Sequence, residues 1–177
     1  WYGNNEYLIN WENDGYKIKN LKDKNGKRKS STPSEEYYFK NGITWTRVSN
    51  SPKFGARYSP NGFLFDNTGP CIFTKKDEIF YLMAFMCSKL VFEFLKFMNP
   101  ALHFEVGDIS LLPIIKPKDF NIIEKLKQIA QNSINFARND WDSFETSWDF
   151  KKHPLLTHKG NATTIEEAFN NWVEFRS

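Results

Sequence analysis

The stretch "DEIFYLMAFMCSKLVFEFLKFM", residues 77–98, constrains this chain's fold more than any other. It is long, strongly apolar and free of Gly and Pro, so it predicts a buried helix. A membrane span is the other outcome for such a run. Lys89, Glu93 and Lys96 lie within it, however, and Lys89/Glu93 form an i,i+4 pair, which favours a core helix. Asn99-Pro100 stops it. With 177 residues the chain suits one ordinary domain, or one domain plus a helical appendage.

Residues 1–76 read as β-rich. Short aromatic and β-branched runs, "EYLINW", "ITWTRVS" and "GFLFD", are separated by Gly, Pro and Asn. Asn41-Gly42 between "EYYFK" and "ITWTRV" predicts a tight turn. "NLKDKNGKRKSSTPSEE", residues 20–36, has almost no apolar residue and predicts a mobile basic loop. Beyond Pro100 the sequence predicts a short strand or turn at "LHFEVGD" and a one-turn helix at "DISLLP". A helix over 118–140 follows, N-capped by Asp119, with Ile122, Ile123, Leu126, Ile129, Ala130, Ile134 and Ala137 at helical spacing. "NDWDSFETSWDFKKHPLL" reads as a packed connector. A last helix starts near Thr163 or Thr164, where both Thr163…Glu166 and Thr164…Glu167 fit a capping box. Its Ala168, Trp172 and Phe175 form a stripe in want of a partner. The fold class is α+β.

The search for chemistry excludes more than it finds. There is no Gly-x-Gly-x-x-Gly and no Gly-x-x-x-x-Gly-Lys-Ser/Thr, so no dinucleotide or P-loop site is indicated. His103, His153 and His158 have no metal-ligand spacing with Cys71 and Cys87. No Gly-x-Ser-x-Gly elbow exists. Asp149-Phe150-Lys151 has the acid-x-Lys half of a nuclease motif but no upstream Pro-Asp. "NPAL" (99–102) begins like the Asn-Pro-Pro-aromatic motif of amine-methylating DNA enzymes. Ala101 and Leu102 supply neither the second proline nor the ring that would stack on an extruded base. The expectation is therefore no catalytic residue, no metal and no cofactor in this chain.

Charge is unevenly spread. Residues 17–76 hold 13 Lys/Arg against 4 Asp/Glu, a local net of +9 in a chain of net +3. That pattern suits a polyanionic partner; a solvated, loop-rich face would look the same. The two widely separated cysteines fit a reduced, cytoplasmic protein. No signal peptide is evident. The chain starts at "WYGNNEYLINWEN" and stops inside a helical pattern, so it reads as a segment of a longer protein, truncated at the C-terminus.

Four segments in order, "WYGNNEYLINWENDG", "YYFKNGITWTRVSNSPKFGARYSPNGFLFD", "NPALHFEVGDISLLPII" and "NDWDSFETSWDFKKHPLL", resemble the C-terminal half of bacterial adenine-specific DNA methyltransferases. The likeness is to the large single-chain methyltransferases of BREX phage-defence systems and their type IIG restriction-modification relatives. It covers nearly the whole chain. It implies that a catalytic domain using S-adenosylmethionine lies N-terminal to this region, and that the region itself is the target recognition (specificity) domain. The pattern is also similar to type I restriction specificity subunits, in which an apolar helix leads to a turn, then to a segment like "VGDISLLPII", then to a spacer helix. The implied architecture is a twisted, mainly antiparallel sheet packed on a long apolar helix and followed by spacer helices. Residues 1–117 would form the DNA target-recognition domain and 118–177 a helical spacer and connector.

Base edges are read by bidentate or amide side chains, while Lys and backbone groups hold phosphates. The cluster "TWTRVSNSPKFGARYSPNG" (44–62) interleaves Trp45, Arg47, Ser49, Asn50, Lys53, Arg57 and Tyr58. Arg47 or Arg57 could read guanine and Asn50 adenine; alternatively, alternate residues, Trp45 among them, are core and the arginines cover a sheet edge. Lys27, Arg28 and Lys29, in "KDKNGKRK", suit a loop grazing phosphates. Lys75 and Lys76 are weaker candidates. The expected partners are duplex DNA, the methyltransferase domain of the same chain and other defence-system subunits, with no membrane. The rival expectation is a protein-protein interaction module docking other defence subunits through the aromatic 141–150 stretch.

Overall fold

The computed structural model describes residues 1–49, 53–75, 78–100 and 103–176. Chain packing divides it into two compact units, residues 7–130 and residues 1–6 with 131–177. The fold is mixed α/β, with a small antiparallel sheet and seven helices among the described residues, the first being α1 (Glu12–Lys19).

The larger unit is organised on three strands, β1 (Gly42–Trp45), β2 (Ala56–Ser59) and β3 (Cys71–Ile72), in the order β2-β1-β3. Ile43 pairs with Tyr58 and Trp45 with Ala56, so these four side chains share one face. Helix α2 (Ile79–Met86) packs on the sheet, and Phe80 stacks on Tyr58 with ring centroids 6.0 Å apart. Ile43, Trp45, Ala56, Ile79, Met83 and Met86 are all buried and form the core.

The apolar run 77–98 is not one helix. α2 ends at Cys87, Ser88 takes an extended conformation, and its Oγ accepts the Val91 N–H at 3.3 Å to cap a second helix, α3 (Lys89–Met98). The hydroxyl satisfies an amide that a helix start would otherwise leave unpaired. The break changes which side chains meet the core. α2 buries five of its eight residues and leaves none exposed, whereas α3 buries only Val91 and Leu95 and leaves Phe97 87% exposed. Then α4 (Val106–Ser110) buries Ile109.

The expected β-rich half is mostly irregular. Residues 1–11 contain no strand, Glu35–Tyr37 is a single 3-10 turn, and "GFLFD" has no strand either. The rings of these runs pack on one another instead. Trp11 meets Tyr38 edge-on at 5.3 Å, Tyr38 meets Phe65 at 5.3 Å, Phe65 meets Phe73 at 5.1 Å, and Phe73 stacks on Tyr37 at 4.8 Å. Such packing needs area, not a ladder. Asn41-Gly42 makes no hairpin turn: Gly42 opens β1. Glycine is required there because a Cβ would lie 2.4 Å from Cys71 Sγ and 2.8 Å from the Ile72 carbonyl oxygen, where β3 crosses.

Helix α5 (Phe120–Trp141) starts where the sequence predicts, Asp119 Oδ1 accepting the Asn121 N–H at 2.8 Å. In the smaller unit its last turns bury Ile134, Gly3 lies against the Trp141 ring, and the Arg138 guanidinium sits 4.7 Å from the Tyr2 ring centroid. The connector is only partly packed: Ser147 is buried, donates to Asp142 Oδ1 at 2.7 Å and accepts the Asp149 N–H at 3.1 Å, whereas the Phe144 and Trp148 rings are exposed. Two helices follow, α6 (Pro154–Thr157) and α7 (Ile165–Arg176). The capping box forms on Thr164: Glu167 N–H donates to Thr164 Oγ1 and the Glu167 carboxylate accepts the Thr164 and Thr163 N–H groups. Ala168 is buried, whereas Phe175 is exposed and stacks on His158 at 4.2 Å.

Candidate nucleic-acid interface

The 44–62 cluster is the long connection of a hairpin. β1 leaves the sheet at Trp45 and β2 enters opposite it at Ala56, so Thr46 and Gly55 leave the ladder at the same end. Asn50 lies outside the described residues, as does Lys76 of the weaker pair.

Trp45 faces the core rather than solvent. Only 1% of it is exposed, and its Nε1–H donates to the Phe104 carbonyl at 2.8 Å. Its ring and its one polar atom are both taken up by the core. Tyr58 is half-buried against Phe80 and also serves packing.

Arg47 leaves the sheet with its backbone anchored on both sides: its N–H donates to the Thr68 carbonyl at 3.0 Å and its carbonyl accepts the Phe104 N–H at 2.7 Å. Its Nε reaches both oxygens of Glu105, at 3.0 and 2.8 Å, in a half-buried ion pair. The pair ties the strand exit to the start of α4, so Arg47 could meet a second anion only in competition with Glu105.

Arg57 differs. It projects from the sheet face opposite Trp45, paired across the strands with Thr44, and donates from Nη2 to Thr46 Oγ1 at 3.1 Å. It is half-buried and has no carboxylate partner among the described residues. Burial alone pulls its guanidinium below the ordinary arginine value. A cation partly stripped of water and held by one neutral hydroxyl is poised to take an anion. Lys53 is exposed on the same connection and Ser49 is half-buried there.

The basic run is a closed finger rather than a featureless loop. The Asp23 N–H donates to the Lys27 carbonyl at 2.8 Å, while Asp23 Oδ1 accepts the N–H groups of Asn25 and Lys27. Lys29 N–H donates to the Leu21 carbonyl, and Lys22 bridges Arg28. Lys27, Arg28 and Lys29 are exposed, without ion-pair partners among the described residues. No hydrogen bond or ion pair among those residues joins this finger to the 46–57 connection.

The residue that sequence reasoning missed is Glu105. Its distance of 58 positions from Arg47 leaves no local signal. Among the described residues no group of three His, Cys, Asp or Glu could hold a metal ion, and no helix is long and apolar enough to cross a membrane.

No protein-family model matches this chain. Among curated proteins it is 36% identical over 177 residues to the adenine-specific methyltransferase BrxX of Escherichia coli O9:H4 (strain HS), an alignment covering 98% of the chain. It is 37% identical over 178 residues to the adenine-specific methyltransferase PglX of Lacticaseibacillus casei (strain Zhang), covering 97% of the chain. The chain spans only 14% of the length of each of these relatives. It is thus similar from end to end to one segment of large adenine-specific methyltransferases.

An open cavity of about 390 Å³ beside the sheet is lined by Lys40 and Lys75 and, among the described residues, by no carboxylate. That is the wrong electrostatic setting for the sulfonium and ammonium charges of S-adenosylmethionine.

Proposed function

We propose that this chain is a duplex-DNA recognition segment of an adenine-specific DNA methyltransferase of a phage-defence or restriction-modification system. In this reading residues 1–117 select the site, residues 118–177 act as spacer and connector, and a methyltransferase domain elsewhere in the same cytoplasmic protein carries the S-adenosylmethionine chemistry. Other defence subunits are the remaining partners. The whole-length similarity to segments of two adenine-specific methyltransferases supports the context.

The observation that carries the reading is Arg57, a half-buried guanidinium with no carboxylate partner among the described residues. It sits at the root of a connection that also presents Lys53. Phosphates supply the missing negative charge, and a guanine edge would take the same donors bidentately. Lys27, Arg28 and Lys29 supply a second, sequence-independent phosphate contact.

The test is a titration of the full chain with duplex DNA at several salt concentrations. Binding should weaken steeply with salt, and Arg57→Gln with Lys53→Gln should lower the affinity by well over roughly tenfold. Equal binding by that double variant would remove this face from the interface. Exchanging the segment for that of a relative with a different target should change which adenines are methylated in cells.

A further inference from the structure

The cavity beside β1 lies outside the connection just described. Its floor is the Tyr37–Phe73 stack, with ring centroids 4.8 Å apart and planes 27° from parallel. Lys40 Nζ stands 5.4 Å from the Tyr37 ring centroid. Neither Lys40 nor Lys75 has an ion-pair partner among the described residues; the carboxylate near Lys75, Glu78, is paired with Lys116. Two amides complete the rim. Asn61 Oδ1 accepts the Asn41 N–H at 2.9 Å, which fixes the Asn61 amide with its Nδ2 available as a donor. The rim is held by backbone bonds, Phe39 N–H to the Phe63 carbonyl at 3.0 Å and Gly62 N–H to the Phe39 carbonyl at 2.9 Å. At about 390 Å³ the space falls near the lower end of the ~300–1,000 Å³ typical of small-ligand sites.

We propose that this pocket binds a single nucleotide unit, its base stacked on Tyr37 and its phosphate on Lys40 and Lys75. Each part of the lining matches one part of that ligand. An aromatic face takes any base, the Asn41 and Asn61 amides offer donors and acceptors to a base edge, and two lysines without carboxylates take the phosphate. Lys40 is the moving part. Its ammonium stands over the Tyr37 ring, and an exposed cation–π contact of that kind is weaker than base–aromatic stacking. An arriving base displaces the ammonium, whose flexible stem swings it onto the phosphate. The nucleotide can come from a strand, as an unpaired residue, or be free in solution.

The full chain is titrated by fluorescence anisotropy with a fully paired duplex and with the same duplex carrying one unpaired adenine nucleotide; dAMP is added as a competitor. The unpaired nucleotide should tighten binding about tenfold. Tyr37→Ala should erase the preference, Tyr37→Phe should keep it, and Lys40→Gln with Lys75→Gln should reduce it. A preference that dAMP does not displace places the ligand in a strand; dAMP binding lost in Tyr37→Ala places it among free nucleotides. Equal affinity for both duplexes with no dAMP binding overturns the proposal, as does a preference that survives Tyr37→Ala. The paired-duplex test on Arg57 and Lys53 touches none of these residues, so either idea can fail alone.

Discussion

The two compact units solve the same packing problem with opposite charge. The larger, residues 7–130, holds nineteen Lys/Arg against thirteen Asp/Glu. It buries a sheet under α2, which leaves its other sheet face and its connections free to present cations. The smaller, residues 1–6 and 131–177, holds five Lys/Arg against eight Asp/Glu, and is built from helices and a connector laced by Ser147. A polyanion would be drawn to the first and repelled by the second. The proposed binding would thus be separable from scaffolding by substitution.

The largest effect should come from Trp45→Ala. Removing a buried indole and orphaning the Phe104 carbonyl should destabilise the larger unit by about 3–5 kcal/mol, read as an early unfolding transition in urea. Gly42→Ala comes next, at about 1–3 kcal/mol, because the added methyl meets backbone at β3 and cannot be relieved by a rotamer change. Arg57→Gln should weaken duplex binding roughly tenfold while leaving the unfolding midpoint in place, which sets the binding face apart from the core. Thr164→Ala should cost about 1 kcal/mol through the lost cap on α7 and leave DNA binding untouched; weakened binding would mean that the units are not independent in function.

The smallest effect is a pH dependence. Burial raises the Asp66 carboxyl, but the Thr68 hydroxyl and the N–H groups of Gly69 and Thr68 outweigh it and hold the group below its ordinary value. Its stabilisation is therefore fully present above the unfolded carboxylate value and is lost as pH falls through the depressed one. Asp66→Asn should flatten that acid limb by well under ~1 kcal/mol, since the group is largely exposed.

What was legible in the sequence was local. Asp119 and the Thr164–Glu167 box were readable because cap and capped amide lie within four residues. The break at Ser88 carried a signal too, a Ser three positions before Val91, but the apolar run masked it. The sheet was readable only in part: "ITWTRVS" holds most of β1 and the pairing is antiparallel, but the strands that flank β1 were not evident. Gly42 is dictated by Cys71 and Ile72, far along the chain, and the rings of "EYYFK" and "GFLFD" are partners of one another across long separations. For the interface, the charge asymmetry was visible, but not which arginine already had a carboxylate. Arg47 and Arg57 look alike in sequence, but only Arg47 is tied to a carboxylate, that of Glu105, while Arg57 is held by the Thr46 hydroxyl.

Asp23 has a consequence for how a partner would be met. One carboxylate knots the tip of the finger, so Lys27, Arg28 and Lys29 arrive as a shaped comb of charge rather than as a floppy tail. A stiff comb gives up little freedom when it docks and favours one angle of approach over others. Loosening that knot with Asp23→Ala would leave every cation in place and still blunt the encounter, a loss of aim rather than of attraction.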